Sequence, residues 1–305
     1  MQMSSTVGRM SRWGRDTGLS FRMFVVMFLL AVVYLAFIAI LISAGVSAVF
    51  ILFFAAIMVL VQYFASDKIA LASMGAKIVE PEQAPELHGM IERLSAIANL
   101  PKPRVAIADS DVPNAFATGR NPNHAVIAVT RGLMNRLQPA EIEAVLAHEM
   151  SHVRNRDVMV MTFATFFSVV AQLIMRMFFW GGMGMGRRDR RDGGSIALVY
   201  LGSILVWVIS YLLIRTLSRY REYAADRGSA ILTGSPSNLM SALVKISGVM
   251  DRIPEKDLRE VQGMNAMFII PASVRSTASE LFSTHPSLEN RLERLRAMSR
   301  EMEGL

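Results

Sequence analysis

The chain has 305 residues, a formal net charge of +7, a hydrophobic fraction of 52% and a mean hydropathy of +0.37. Two ordinary soluble domains would be less apolar, so a membrane protein is the first expectation. Cysteine is absent, which excludes disulfides and thiolate metal sites and leaves histidine and carboxylate as metal ligands. The positive charge lies mostly in arginines beside apolar runs, which suits anionic lipid headgroups; no nucleic-acid-binding motif is present. The expected partner is the lipid bilayer, with no nucleic acid.

The first apolar stretch is long enough for two membrane spans. No residue from 23 to 61 is charged, whereas about twenty apolar residues cross the hydrocarbon core as one helix. We therefore predict a hairpin with spans at residues 23–42 and 46–64 and a break at "SAG". A cleaved signal peptide is the alternative, although its apolar region would be shorter.

The following segment, residues 66–156, has the pattern of a soluble domain. Charges and prolines return, and "PELHGMIERLSAIANL" has the apolar spacing of an amphipathic helix. The β-branched runs 104–109 and 124–130 predict strands of a small sheet, and "NAFATG" at 114–119 predicts a further strand or sheet edge.

A strong helix is predicted for "LQPAEIEAVLAHEMSHVRNRD", because proline and acids begin it and basic residues end it. Two more apolar stretches follow, at 158–180 and 196–214, and the sequence leaves open whether they fully cross a bilayer. Between them, "GGMGMGRRDRRDGGS" at 181–195 predicts a flexible loop whose role is undetermined. The remainder is polar and helical.

The chain therefore divides into five parts. Arginine and lysine side chains concentrate beside the N-terminal part and both polar parts, so the positive-inside rule predicts that these three parts lie in the cytoplasm; four arginines in the 181–195 loop are an exception. The predicted parts are a cytoplasmic N-terminal tail (1–22), a transmembrane hairpin (23–65), a first polar part (66–157), two further apolar helices (158–214) and a second polar part (215–305).

The segment "AHEMSH" raises the question of a metal site. His148 and His152 are four residues apart, so a helix places both imidazoles on one face, where one ion can reach both. Neutral imidazoles bind Zn²⁺ tightly, and Glu149 beside the first histidine can reach the ion's water, as in zinc proteases. The alternative is a pair of helix-surface histidines without a ligand.

A catalytic zinc ion needs a third protein ligand. Glu222 and Asp226 in "SRYREYAADRGSA" are again four residues apart, so Glu222 could bind the ion while Asp226 accepts a hydrogen bond from a ligand histidine. From the residues alone, a solvated charged helix face explains the pair at least as well.

The motifs together resemble those of the HtpX-type membrane zinc metalloproteases, relatives of the CAAX prenyl proteases. The similarity covers nearly the whole chain. It implies an α+β zincin-type domain, mostly α with a small β-sheet, plus transmembrane helices, and one Zn²⁺ on His148, His152 and Glu222. It further implies Glu149 as the catalytic carboxylate, with Asp226 beside the ligands. The motifs are "VPNAFATG", "AVIAVTRGLMNRL", "AHEMSHVRNRD", "SRYREYAADRGSA" and "THPSLENRLERL".

The resemblance also implies a substrate class and further site residues. Members of this family are quality-control endopeptidases of the bacterial inner membrane that act on misfolded or damaged membrane proteins from the cytoplasmic side. His285 is a candidate donor to the developing oxyanion, although a helix-capping or packing role explains it equally well. The other histidines considered, His88 and His124, are expected on the surface.

An extended substrate could add a strand to an exposed sheet edge, where main-chain hydrogen bonds give affinity with little sequence preference. Residues Asn114, Ala115 and Phe116 could form that edge; an ordinary internal strand or loop is the alternative.

Two other functions share parts of this pattern. A CAAX-type prenyl-protein processing protease uses the same zinc chemistry, but those enzymes have more membrane spans than the four expected here. A membrane scaffold with a structural metal ion is disfavoured, since structural zinc usually has a fourth protein ligand. The sequence leaves the oligomeric state and the natural substrates undetermined.

Overall fold

The structure is a computed structural model, and it describes residues 16–181, 193–250, 268–270 and 285–304. Within these ranges it contains nine α-helices and a four-stranded sheet. The helices are α1 (Thr17–Ser43), α2 (Ala48–Ser73), α3 (Pro85–Ala98), α4 (Arg131–Arg136), α5 (Pro139–Arg154), α6 (Asp157–Gly181), α7 (Gly193–Thr233), α8 (Pro236–Met250) and α9 (Leu288–Glu303). The strands are β1 (Ala76–Ile78), β2 (Arg104–Ala108), β3 (Ala115–Thr118) and β4 (Val126–Thr130). The prediction of a mostly helical chain with a small sheet is confirmed.

The apolar N-terminal stretch forms a helical hairpin. Asp16 accepts a hydrogen bond from the Leu19 N–H at 2.9 Å and so begins α1. The turn after α1 contains Gly45, whose φ of 87° lies in the left-handed region that favours glycine. The predicted break is therefore where the chain turns, although α2 continues nine residues beyond the predicted span end, to Ser73.

Helix α7 extends the fourth apolar stretch directly into the polar part of the chain. It has 41 residues and so measures about 60 Å at 1.5 Å per residue, twice the about 30 Å of hydrocarbon in a bilayer. The predicted boundary between residues 214 and 215 thus lies inside a continuous helix. In the described ranges, Thr17–Ser43 and Leu198–Thr233 are long and apolar enough to cross a membrane.

The apolar helices form one packed cluster. Helices α1, α6 and α7 bury Leu30, Phe37, Ala171 and Val206, among others, against each other. On their outer faces the apolar side chains stay exposed; Leu201 and Leu205 of α7 are 63% and 60% exposed. Such faces would be costly in water and are stable against lipid, as expected for a membrane protein.

A second core lies in the polar part. Helices α3, α5 and α8 pack around the sheet and bury Ile91, Ile127, Leu146 and Leu243. The sheet order is β1-β2-β4-β3, with β2 and β4 parallel and both outer strands antiparallel to their neighbours. Strand β3 is therefore an edge strand, and it lies beside α5.

Two predicted segments differ in detail. Of the loop predicted at 181–195, residue 181 belongs to α6 and residues 193–195 belong to α7. Its residues 182–192 lie outside the described residues. The run predicted as one strand at 124–130 begins with a short 3₁₀ turn, Pro122–His124, so that β4 starts at Val126.

Candidate metal and catalytic site

Helix α5 carries the two histidines on one buried face. Gln138 and Glu141 form a capping box at its N-terminus, with the Gln138 N–H donating to the Glu141 carboxylate at 2.8 Å. One turn apart, His148 and His152 bring their Nε2 atoms within 3.2 Å of each other. The helical spacing of the motif thus produces the convergence that the sequence predicts.

Glu222 of α7 completes a triangle with these histidines. Its Oε2 lies 3.5 Å from His148 Nε2, and its Oε1 lies 3.4 Å from His152 Nε2. Ligand atoms held 2.0–2.1 Å from a tetrahedral zinc ion lie about 3.3–3.4 Å from one another. The three side chains could therefore hold one metal ion with little rearrangement.

The second nitrogen of each imidazole contacts a carboxylate. Asp226 Oδ1 lies 3.0 Å from His148 Nδ1, and Asp157 Oδ2 lies 2.6 Å from His152 Nδ1. A carboxylate at Nδ1 holds the imidazole in the tautomer whose Nε2 lone pair faces the ion. Both histidines are thus oriented to act as ligands.

Two arginines hold these carboxylates in turn. Arg291 of α9 donates to both oxygens of Asp226, at 2.9 and 2.7 Å, and Arg221 Nε lies 3.1 Å from Asp157. Asp226 pairs here as the sequence predicts, but Asp157, Arg221 and Arg291 were not among the predicted site residues. The position of Asp157, five residues after His152, was a usable signal; nothing in the sequence distinguishes Arg291 from the other arginines of α9.

Glu149 is buried beside the ligand triangle. Burial raises the pKa of its carboxyl group, Glu222 adds to this effect, and the two histidines and a backbone hydrogen bond from Ala117 oppose it. A carboxylate with a raised pKa is a stronger base than one in water, and it holds a proton more readily.

His148 is protonated more easily than an ordinary histidine when no ion is bound. Burial would lower the pKa of its imidazole, but the carboxylates of Asp226 and Glu222 outweigh burial and raise the pKa to about 9. The excess negative charge around this imidazole is what a site for a cation requires.

His285 lies in the site as well. Its Nδ1 is 3.1 Å from Glu222 Oε2, and the residue is buried. The capping role considered for it falls instead to Ser287, whose side chain accepts a hydrogen bond from Asn290 at the start of α9.

The other two histidines lie outside the site. The surface position predicted for His88 is wrong, since His88 is buried and its Nε2 lies 3.0 Å from the Val79 carbonyl oxygen. His124 is exposed, as predicted.

The predicted substrate-binding edge lies where β3 passes α5. Asn114 itself is fully buried: its backbone exchanges hydrogen bonds with Thr130, and its side chain accepts one from the Ile269 N–H at 3.0 Å. Because hydrogen-bonded and non-bonded pairs alternate along antiparallel strands, the outward backbone groups of β3 belong to Ala115 and Ala117. Phe116 packs on the face opposite α5, toward Ala70 of α2.

Comparison with known proteins places the chain among proteases. A family model described as peptidase family M48 matches residues 81–299. Protease HtpX homolog of Moorella thermoacetica is 62% identical over 291 residues, which cover 95% of this chain and 97% of that protein. Protease HtpX homolog 2 of Methanosarcina mazei is 59% identical, with 95% and 99% covered. The crystal structure of S. mikatae Ste24p has the same fold, with a TM-score of 0.54 at 20% identity, covering 92% of this chain and 67% of that one.

Proposed function

The chain belongs to peptidase family M48, and from this membership and the geometry above we propose that it is a zinc-dependent endopeptidase of the membrane. The observation that supports the proposal most directly is the convergence of His148, His152 and Glu222 beside a buried carboxylate, Glu149. His–His–Glu ligation that leaves a fourth position open is the arrangement of catalytic zinc sites.

In this proposal each side chain has one role. His148, His152 and Glu222 would hold the ion, and Asp226 and Asp157 would keep the imidazoles oriented through Nδ1. Bound zinc supplies Lewis acidity, which polarises a peptide carbonyl group and makes water more acidic. The residues of the chain have to position the peptide and move the protons.

Glu149 would be the proton carrier. Its carboxylate takes a proton from the attacking water and returns it to the departing amine nitrogen, so the group ends each cycle as it began. The raised pKa favours the first transfer, and the hydrogen bond from Ala117 holds the carboxylate beside the edge strand. His285, in contact with Glu222, is close enough to the ligands to donate to a developing oxyanion.

An extended peptide would pair with the outward backbone groups of Ala115 and with the carbonyl oxygen of Ala117, whose N–H donates to Glu149. Main-chain pairing requires an unfolded segment and reads little sequence. We therefore propose misfolded or damaged membrane proteins as substrates, and quality control as the cellular role.

We further propose a multi-pass protein of the inner membrane. Apolar faces on α1, α2 and α7 support membrane insertion, and the arginines beside the polar parts support a cytoplasmic protease domain. Because α7 is twice as long as the hydrocarbon core, its second half can hold Glu222 and Asp226 outside the bilayer.

A comparison of two carboxylate variants tests the ligand assignment. Glu222→Gln should lose both bound zinc and cleavage of an unfolded protein, because a neutral amide is a poor zinc ligand. Asp226→Asn should lose only about 10–100-fold in either property, since it changes a partner of the ligand and not the ligand itself. Zinc content and turnover should be measured together on detergent-purified protein. Full zinc occupancy and normal turnover in Glu222→Gln would show that the assignment is wrong.

A further inference from the structure

A recess adjoins the metal site at the C-terminal end of β3. Its lining includes Ala117 of the edge strand and His152, the most exposed of the three candidate ligands. It is a shallow recess that is partly open to solvent. Side chains of an extended peptide lying along β3 would therefore contact its surface rather than be enclosed by it.

The floor of the recess is apolar and lies where a membrane helix begins. Val153 lies in the last turn of α5, and Val158 and Met159 belong to the first turn of α6, so the lining passes directly into an apolar helix. On its other side, the Arg120 guanidinium lies 5.2 Å from the ring centroid of Phe64 in α2. The recess therefore lies beside two of the apolar helices, α2 and α6.

The charge around the recess has one sign. Arg120 and Arg156 contribute to the lining, and Arg156 is exposed. Asp157 is the one acidic residue among the described lining residues, and its carboxylate is buried between His152 and Arg221. The two arginines give the recess a positive charge, and the one lining carboxylate is already paired, which favours acidic and disfavours basic substrate side chains.

The direction of β3 determines which substrate residues reach the recess. β3 runs from Ala115 toward the recess at Gly119 and Arg120. A substrate strand antiparallel to β3 then places the residues on the N-terminal side of its paired segment against the recess.

We propose that this recess is a specificity subsite for an apolar side chain accompanied by an acidic one, on the N-terminal side of the cleaved bond, with Arg120 and Arg156 as the selecting residues. The proposal rests on the endopeptidase function proposed above. It names the preferred substrate as the juxtamembrane segment of a membrane protein that combines apolar and acidic residues.

The test uses quenched fluorescent peptides that share one apolar sequence, in which a single aspartate, serine or lysine is moved along the chain. The cleaved bond in each peptide is identified by mass spectrometry. We expect kcat/KM to be higher for aspartate than for lysine only on the N-terminal side of that bond. Arg156→Glu and Arg120→Glu should each shift the aspartate-to-lysine ratio by about tenfold toward lysine, the effect of one partly screened charge pair.

Two further variants make the result specific. Arg154→Glu is the matched control, because Arg154 is an exposed arginine at the end of α5, two residues before Arg156, and does not line the recess; its aspartate-to-lysine ratio should stay at the wild-type value. Arg156 has a φ of 55°, a conformation that asparagine tolerates, so Arg156→Asn should weaken the preference without reversing it.

Three other outcomes would contradict the proposed subsite. The proposal is overturned if Arg156→Glu and Arg120→Glu keep the wild-type aspartate-to-lysine ratio of kcat/KM on peptides that they cleave, or if Arg154→Glu shifts this ratio as much as they do. It is also overturned if both variants keep the ratio but lose binding to phosphatidylglycerol-containing vesicles, because the arginines then contact lipid headgroups. Failure of the endopeptidase function itself looks different: wild type would cleave no peptide, or Glu149→Gln would cleave as well as wild type.

Discussion

Each histidine of the proposed ligand set has one nitrogen toward the other two proposed ligands and the other on a carboxylate. Asp226 and Asp157 come from different helices, and each is held by an arginine, the buried Arg291 or the half-buried Arg221. An unpaired carboxylate at such depth would be costly, so the arginines are what allow the two acids to stay charged there. The site is therefore three layers deep: ion ligands, the acids that orient them, and the arginines that hold the acids.

Sequence reasoning identified the first layer and part of the second. The spacing of His148 and His152 is a local property of one helix, so it is visible in the sequence. Glu222 and Asp226 needed a family resemblance, because four-residue spacing of acids is common on solvated helices. Arg291 lies 65 residues from Asp226, and no local pattern predicts a pair that only the packing of α9 against α7 brings together.

Glu141 provides a test of stability at the residue scale. Its Oε1 lies 2.6 Å from Lys245 Nζ and accepts a hydrogen bond of 2.6 Å from the Ser241 hydroxyl, so the carboxylate links α5 to α8. Burial alone would raise the pKa of Glu141, but these partners and the Gln138 N–H outweigh it, so the pKa is lowered from 4.5.

A lowered folded-state pKa means that the contribution of Glu141 is fully present above the unfolded-state value near 4.5 and is lost as the pH falls through the folded-state value. Glu141→Gln should therefore lower stability by about 1–2 kcal/mol at pH 7, a modest loss because Lys245 is partly exposed. The difference between wild type and variant should shrink below pH 4.5. Thermal unfolding in detergent across pH 3.5–8 checks this; a difference that grows on acidification would contradict it.

At the scale of elements, the contact between α5 and α7 determines the site, since one helix carries the histidines and the other Glu222. Gly228 of α7 lies directly against Ser151 of α5: a Cβ at Gly228 would lie 2.7 Å from the Ser151 Cβ and closer still to its hydroxyl oxygen. Both helices can approach this closely only while residue 228 has no side chain.

Gly228→Ala should push the two helices apart. We expect a loss of about 1–3 kcal/mol in stability from overpacking, and a fall of about 100-fold in turnover, because small displacements of catalytic groups have effects of that size. Adding Ser151→Gly removes the obstructing atoms and should recover much of the activity. Gly248→Ala in α8 is the control: among the described residues, no atom outside the backbone of α8 lies within 4 Å of its new Cβ, so turnover should be unchanged. Loss of activity in the double variant equal to that of Gly228→Ala would contradict the contact.

The elements themselves were predictable to different degrees. Apolar periodicity and turn residues identified the helices of the hairpin, α3, α5 and strands β2 to β4, since these patterns reflect local geometry. Strand β1 is three residues long, too short for alternation to be visible, and it forms only by pairing with β2. The continuity of α7 was missed because a change from apolar to polar residues resembles a domain boundary, whereas a helix can pass from lipid to water without a break.

At the scale of the whole molecule, the proposed topology can be tested at two points. A reporter fused after Lys68 should report the cytoplasm, because two preceding spans return the chain to the arginine-rich side where it began. A cysteine introduced within residues 182–192 should react with a membrane-impermeant reagent from the far side if α6 and α7 both cross. The chain has no cysteine of its own, so labelling is specific. A periplasmic signal at Lys68 would contradict the proposed orientation.

The central claim is that this membrane metalloprotease cleaves peptide bonds with zinc held by α5 and α7 and with Glu149 as the proton carrier. The most direct measurement compares wild type with Glu149→Gln for zinc content and for cleavage of an unfolded protein, side by side. We predict that Glu149→Gln keeps zinc at the wild-type level, since the three ligands are unchanged, and loses cleavage, since an amide cannot accept the proton. Cleavage by Glu149→Gln at the wild-type rate, with zinc bound, would contradict the account.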